Sequence, residues 1–210
     1  MSPRGFAPGK EHRSEVQQDE EIRLCPISAG EIDIYAYWMT HGQWRQFDAP
    51  WESVGDRWKP EDLCRFKEGL LKTAARQSEA VSKCTLYLRD DPIGWVNSYR
   101  GSADHTSVKV GICICVDSCF GRGLGTRSLW LWVRHWFKER NLHRIGLDTW
   151  SFNRRMIRVA EKCGFIEEGV EREVQRWDGA WRDLHHFGMT EDDYARMMKH
   201  RKAIEREGIE

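Results

Sequence analysis

The pattern of apolar and polar positions is most regular between Val108 and Phe137. From Val108 to Val116, branched apolar side chains alternate with mostly small ones, which predicts a buried strand. The glycine-rich turn from Gly121 to Thr126 comes next, and apolar residues at helical spacing then predict a long helix to about Arg140. We therefore expect a strand, a turn and a helix, and the small strand face allows another group to pack closely.

Shorter patterns of the same two kinds predict the rest of the secondary structure. Asp90 to Pro92 and Asp178-Gly179 are turn signals between alternating segments, so each predicts a hairpin. Strands are expected over 21–28, 83–89, 93–100, 143–149, 166–177 and 181–189, and helices over 31–41, 60–75, 153–163 and from 190 onward. Hairpins mixed with crossovers predict a single domain of the α+β or mixed α/β class, with one sheet covered by helices.

Both ends of the chain are highly polar. Residues 1–20 combine Pro, Gly and Gln with many charges, which predicts a disordered N-terminal tail without the apolar region of a signal peptide. The folded domain is expected over 21–195. Residues 196–210 are expected to form a charged helix end that frays into solvent.

Composition narrows the expected function classes. The 210 residues carry 33 Lys and Arg against 33 Asp and Glu, so no basic excess points to nucleic acid. No apolar run is long enough to predict a membrane span. The seven Cys include no CxxC pair, which argues against a metal site and predicts a reduced, cytoplasmic chain.

The turn from Gly121 to Thr126 carries the first candidate chemistry. Backbone N–H groups at a helix N-terminus have no helical acceptor, and the helix dipole adds positive potential there. Glycines let these groups approach an anion closely, so the turn predicts a pyrophosphate site with Arg122 and Arg127 as further cations. The turn lacks the features of a Walker A loop and of a complete GxGxxG motif. A tight strand-to-helix turn without a ligand therefore remains an alternative.

Three ordered motifs favour the ligand-binding interpretation. Phe120 to Gly125 resembles the [Q/R]xxGxG segment of the GNAT acetyltransferases, with Phe120 in place of the first residue. Asn153 to Phe165 resembles the NxxAxxxYEKxGF segment of the same superfamily. Trp177 to Met189 resembles the hairpin of its RimJ/RimL-type branch. The chain is thus identified by resemblance as a GNAT acetyltransferase.

The resemblance implies both a fold and a ligand position. The implied fold is a mostly antiparallel sheet of about seven strands, flanked by helices, that splays open between the strands near 108–116 and 143–149. Acetyl-CoA is expected in that opening, with its pyrophosphate on the glycine turn and its pantetheine on the first splayed strand. The residues implied to contact it are Ile114, Cys115, Val116, Phe120, Gly121, Arg122, Gly123, Leu124, Gly125, Thr126 and Asn153.

The implied reaction is direct attack of a primary amine on acetyl-CoA in a ternary complex. The backbone N–H of Ile114 is the expected donor to the developing oxyanion. The proton donors of the family do not carry over, because Ala160 and Met156 stand where relatives have Tyr or Ser. Lys109 likewise occupies a common Glu position. The groups that move protons must therefore lie elsewhere in the chain or be water.

Three carboxylates are the first candidates for that role. Glu171 and Glu173 alternate on one predicted strand face, from which they could relay a proton from a bound amine through water. Asp183 matches an acidic position of the RimJ/RimL branch. His185 and His186 titrate in a suitable range. For all five residues, a solvated or structural role is the competing interpretation.

The acceptor is expected to meet the aromatic segment from Trp38 to Trp58, because relatives build the acceptor wall from this region. The aromatic candidates are Trp38, Trp44, Phe47 and Trp51, and the acids that could attract an amine are Asp48, Glu52 and Asp56. Filling of the core between helices is the alternative role for these Trp side chains.

Several questions of function stay open at the level of sequence. The acceptor is either a protein N-terminus or a small amine, and a homodimer is left open. The alternative to an enzyme is a non-catalytic CoA-binding or sensing module with the same fold. No nucleic acid, membrane or metal partner is expected.

Overall fold

The computed structural model describes residues 17–19, 21–51, 59–76, 81–99, 101–102, 106–140 and 142–207. These residues form an eight-stranded sheet flanked by helices, in the strand order β1-β2-β3-β4-β5-β6-β8-β7. The strands are β1 Gln17–Gln18, β2 Ile22–Pro26, β3 Lys83–Leu88, β4 Asp91–Tyr99, β5 Ser107–Ile114, β6 Arg144–Trp150, β7 Ile166–Trp177 and β8 Ala180–Thr190. The helices are α1 Ile32–Thr40, α2 Pro60–Arg76, α3 Leu124–Arg140, α4 Arg154–Cys163 and α5 Glu191–Glu207.

The sheet is antiparallel in the described part of the chain except where β5 meets β6. These two strands pair in parallel over only three positions, residues 107–109 with residues 144–146. Beyond that point β5 continues along β4, while β6 continues along β8. The predicted fold class and the splay are thus confirmed, and the strand count is eight rather than about seven.

The additional strand lies inside the segment expected to be a tail. Gln17 and Gln18 pair with β2, and Asp19 accepts hydrogen bonds from Arg127 of α3 at 3.0 Å. Arg127 also bonds Glu21 at 3.1 Å. The guanidinium expected near a phosphate therefore fastens the N-terminal strand to α3 instead.

Each face of the sheet has its own apolar core. On one face, α3, α4 and α5 pack over β2 to β6, and the largest fully buried side chain there is Trp132. On the other face, α1 and the 41–51 loop pack over Trp95 of β4 and Cys115, just beyond β5. The alternation of β5 explains this division, because Val110 belongs to the first core and Cys113 to the second. The end of β5 is consequently held from both sides.

The last helix begins with the cap that its sequence predicts. Asp193 accepts hydrogen bonds from the backbone and the hydroxyl of Thr190, at 2.9 and 2.6 Å, and the Asp193 amide donates back to that hydroxyl. The helix then continues to Glu207, through most of the segment 196–210 that was expected to be a charged helix end. No helix among the described residues has the length and apolarity needed to cross a bilayer.

Candidate active site

A cavity of about 530 Å³ opens where β5 leaves β6. Its walls come from the end of β5, the loop after α1, the glycine turn and one face of α4. The lining residues are Trp44, Phe47, Asp48, Ile112, Cys113, Ile114, Cys119, Phe120, Gly121, Gly123, Leu124, Gly125, Thr126, Asn153, Arg155, Met156, Arg158, Val159 and Lys162. The glycine turn and the splayed strand, predicted separately, thus border one space.

The glycine turn presents open backbone to this cavity. Gly121 and Gly123 have positive φ angles of 73° and 74°, and a Cβ built on either would meet no atom within 4 Å. The first helical hydrogen bond of α3 runs from the Arg127 amide to the Gly123 carbonyl, at 3.1 Å. The amides of residues 124–126 therefore have no helical acceptor. Such a helix start, lined by glycine, fits a pyrophosphate.

Three cations on α4 line the same cavity. Arg155, Arg158 and Lys162 recur at helical spacing, so they share one helix face. The Arg155 guanidinium lies 4.8 Å from the ring centres of both Phe47 and Phe120. We did not assign these cations from the sequence, although their spacing on a predicted helix was visible there. They add positive charge on the α4 wall of the cavity.

The open edge of β5 offers main-chain groups to a ligand. The Cys115 amide donates to the Ile93 carbonyl of β4 at 2.7 Å. Because successive amides of a strand point to opposite edges, the amides of Ile112 and Ile114 face the edge that β6 has left. That edge is therefore available for hydrogen bonds along an extended molecule.

Three residues implied to contact acetyl-CoA lie outside the lining of this cavity, namely Cys115, Val116 and Arg122. The backbone amide of Cys115 points to β4, and its side chain is buried among aromatic side chains. Val116 lies beyond the end of β5. The phase of the strand thus places the accessible segment at 112–114 rather than 114–116. Burial also raises the pKa of the Cys115 thiol well above its ordinary value, which disfavours a thiolate nucleophile.

Asn153 lines the cavity, but both ends of its side-chain amide already have partners. Its oxygen accepts the Met156 amide at 3.1 Å and so caps α4. Its nitrogen donates to the Phe47 carbonyl at 3.1 Å. Asn153 therefore joins α4 to the loop that carries Phe47 and Asp48, a connection that the helix-start pattern alone did not reveal.

The four aromatic acceptor candidates divide into two groups. Trp44 and Phe47 line the cavity, although Trp44 is 93% buried and donates to the Trp38 carbonyl. Trp38 belongs to the core beneath α1. Trp51 packs against Trp150, with ring centres 4.4 Å apart, outside the cavity lining. The core alternative is thus correct for Trp38, and Trp51 instead fastens the loop to the end of β6.

The two carboxylates expected to relay a proton do not share a regular strand face. The pairing of β7 with β8 is irregular between Glu171 and Gln175, and Glu173 has a φ of 55°. The Glu173 amide donates to Asp183 at 2.8 Å, so Asp183 satisfies this irregular backbone. Neither Glu171, Glu173 nor Asp183 lines the cavity. Glu52 and Asp56 lie outside the described residues.

Glu171 instead belongs to a charge network that crosses four strands. His186 contacts Asp148 through Nδ1 at 2.8 Å and Glu171 through Nε2 at 2.7 Å. Asp148 also accepts a hydrogen bond from Lys109 of β5. The hydrogen bond to Asp148 is the largest cause of a raised pKa of His186. The network links β5, β6, β8 and β7 at the base of the splay.

We expect His186 to stabilise the fold in a pH-dependent way. Because its folded-state pKa is raised, this contribution is fully present below the unfolded value of about 6.5 and is lost as pH rises through the folded pKa. Urea unfolding of the wild type and His186→Gln, between about pH 5.5 and pH 8.5, should give a stability difference that shrinks as pH rises. A difference that stays constant over this range would contradict the role given to the network.

The described residues contain no group of three or more His, Cys, Asp or Glu side chains arranged to hold a metal ion.

His185, like His186, contacts a carboxylate of β7. Its Nδ1 contacts Glu167, and its ring stacks near Phe187. Among the described lining residues, Asp48 is the only acid. These described lining residues thus supply one carboxylate and three basic side chains, Arg155, Arg158 and Lys162.

Comparison with known proteins gives a family, a relative and two similar structures. Residues 21–166 match the family model described as Acetyltransferase (GNAT) domain. Over 74 residues the chain is 32% identical to the SPbeta prophage-derived uncharacterized N-acetyltransferase YokL of Bacillus subtilis (strain 168), an alignment covering 35% of this chain and 42% of YokL. The chain spans less than half of the curated relatives it matches.

Two solved structures share the fold at low identity. RimL, a ribosomal L7/L12 alpha-N-protein acetyltransferase in complex with coenzyme A, gives a TM-score of 0.70 at 12% identity, over 86% of this chain and 99% of RimL. A spermidine N-acetyltransferase SpeG chimera from Vibrio cholerae and hSSAT gives a TM-score of 0.66 at 19% identity, over 84% of this chain and 99% of the chimera.

Proposed function

Because the chain belongs to the family of GNAT acetyltransferases, we propose that it transfers the acetyl group of acetyl-CoA to a primary amine. The observation that carries the proposal is the cavity that the glycine turn and the open edge of β5 share. A phosphate-binding backbone and an unpaired strand edge are the two features needed to hold a long ligand that is anionic at one end.

The residues present fit acetyl-CoA in this cavity. The free amides at the start of α3 and the cations Arg155, Arg158 and Lys162 suit its phosphates. The open edge at Ile112 and Ile114 suits the amide groups of the pantetheine, which need hydrogen-bond partners along an extended chain. RimL, which shares the fold, was solved in complex with coenzyme A, and that complex supports the same ligand for this protein.

The reaction proposed is direct attack within a ternary complex. The cleft brings the amine and the thioester together, so much of the acceleration comes from proximity. The Ile114 amide donates a hydrogen bond to the carbonyl oxygen, which gains negative charge during the attack. The buried thiol of Cys115 takes no part.

Two acceptor classes fit this proposal. A protein N-terminus would resemble the acceptor in the name of RimL, and a small amine would resemble that of SpeG. Both present a primary amine that is cationic in water, so the same chemistry must bind and deprotonate either. We place the enzyme in the RimJ/RimL-type branch and in the cytoplasm as parts of the same proposal.

Release of free thiol from acetyl-CoA, followed with a panel of peptide α-amines and small amines, tests the proposal. We expect thiol release that requires one class of amine and yields the acetylated amine in equal amount. Binding of acetyl-CoA without turnover on any amine would contradict the proposed acetyltransferase activity and favour a CoA-binding module.

Arg155→Ala is expected to raise the KM for acetyl-CoA about tenfold while kcat changes little, because in this proposal the guanidinium, which lines the cavity, binds phosphate and lies away from the reacting atoms. Steady-state kinetics at fixed amine concentration measures both values. Arg154→Ala is the matched control, since Arg154 is exposed on the same helix outside the cavity lining. Equal changes in the two variants would contradict a specific role for Arg155.

A further inference from the structure

Asp48 lines the cavity beside the end of β5. Its Oδ2 accepts a hydrogen bond from the Cys113 thiol, with 3.6 Å between oxygen and sulfur. Cys113 lies between Ile112 and Ile114, whose amides face the open edge of β5. The carboxylate is therefore next to the strand segment where the reacting end of the acyl donor is expected. The side chain is also accessible from the cavity.

The charges of the lining favour a cation beside Asp48. Its basic members, Arg155, Arg158 and Lys162, all belong to α4, whereas Asp48 stands on the loop after α1. The α4 face suits the phosphates of a donor. An ammonium group would find its one partner of opposite charge at Asp48 among the described lining residues.

We propose that Asp48 binds the ammonium group of the acceptor and accepts its proton. This inference rests on the proposed function. It assigns the proton acceptor to the loop after α1, and it names the acceptor as an amine that arrives in its cationic form.

The proton and electron balance of this step is simple. Asp48 takes one proton from the ammonium, and the free amine then forms a bond to the thioester carbon. The carbon–sulfur bond breaks, and the sulfur leaves with the electron pair and takes the second proton lost by the nitrogen. Asp48 releases its proton to water, which restores the carboxylate.

The surroundings of Asp48 suit a proton acceptor. Protein encloses the carboxyl on the sides away from the cavity, and this burial raises its pKa. The Cys113 hydrogen bond and the charge of Lys83 act in the opposite direction with smaller effect. Cys115 and Tyr99 also lie within range of the Asp48 charge.

The loop that carries Asp48 is held in place from two directions. The Phe47 carbonyl accepts the Asn153 side chain at 3.1 Å, which ties the loop to α4. The Gln43 amide donates to Asp117 at 3.0 Å, which ties the loop to the segment after β5. The carboxylate thus keeps a fixed position relative to the strand edge.

Asp48→Asn tests the inference, because asparagine keeps the shape and still accepts the Cys113 hydrogen bond. Acetyl-CoA affinity measured by calorimetry should stay within about twofold, while kcat/KM for an alkylamine acceptor should fall about 100-fold or more. The fall should be smaller for a peptide α-amine, whose pKa of about 8 leaves more of it already neutral than an alkylamine near 10. Asp33→Asn, which removes a surface carboxylate paired with Lys67, is the control and should match the wild type.

The outcomes separate the two proposals. A wild-type protein that releases no thiol with any amine would overturn the proposed function itself. Turnover by Asp48→Asn at the wild-type rate would overturn only the role of Asp48. Equal losses for both amines, or a loss of acetyl-CoA affinity, would also overturn that role, because neither follows from a missing proton acceptor.

Discussion

Gly123→Asp is expected to lower the affinity for acetyl-CoA about 100-fold or more. A new carboxylate would face the pyrophosphate, and two unit charges about 4 Å apart repel by roughly 4 kcal/mol at the effective dielectric near a protein surface. About 1.4 kcal/mol corresponds to a tenfold change in affinity, so the expected loss is conservative. Isothermal titration calorimetry with acetyl-CoA measures it directly.

The structure provides two matched controls for this substitution. Gly123→Asn adds the same volume without charge, and asparagine tolerates the φ of 74° at this position. Gly179→Asp adds the same charge at a φ of 71°, in the β7–β8 turn and likewise into open space. We expect Gly179→Asp to bind like the wild type and Gly123→Asn to lose much less than Gly123→Asp. Unchanged binding in Gly123→Asp would rule out the glycine turn as the phosphate site.

Ile114→Pro is expected to lower kcat roughly 100- to 1,000-fold while acetyl-CoA remains bound. Proline removes one backbone N–H, and at Ile114 this is the amide that faces the open edge rather than β4. The sheet therefore keeps its hydrogen bonds, which is the situation in which a strand tolerates proline. Single-turnover kinetics with saturating acetyl-CoA separates the loss of chemistry from any loss of binding.

Ile114→Ala is the control for this variant, because it shortens the same side chain and leaves the amide intact. Ile114 packs against the core beneath α3, so both variants should lose some stability. We expect only Ile114→Pro to lose the chemical step. Similar kcat values in the two variants would remove the Ile114 amide from the mechanism.

The local parts of this fold were predictable because neighbouring residues determine them. The alternation of β5, the glycine turn and the apolar helix that follows are all short-range patterns, and the structure has them in the expected order. The cap at Thr190 follows from side chains three residues apart. The splay was expected from resemblance alone, since the separation of β5 from β6 depends on residues far apart in sequence.

The missed features depend on phase or on distant contacts. Simple alternation placed Glu171 and Glu173 on one face, but the irregular pairing between Glu171 and Gln175 breaks the period of two. Asp48 was expected from the sequence as one of three acids near the acceptor, but its position in the cavity depends on the contact of its loop with Cys113, 65 residues away. The sequence could not distinguish a packing role for Trp51 from a role in the pocket, because its partner Trp150 lies about a hundred residues further along the chain.

A crystal structure with coenzyme A bound would test the central claim most directly. We predict pyrophosphate oxygens within hydrogen-bond distance of the amides of residues 124–126. We also predict pantetheine amide groups paired with the main chain of Ile112 and with the carbonyl of Ile114, between β5 and β6, which leaves the Ile114 N–H for the thioester oxygen. Coenzyme A bound elsewhere, with the glycine turn and this strand edge both free of it, would contradict the account.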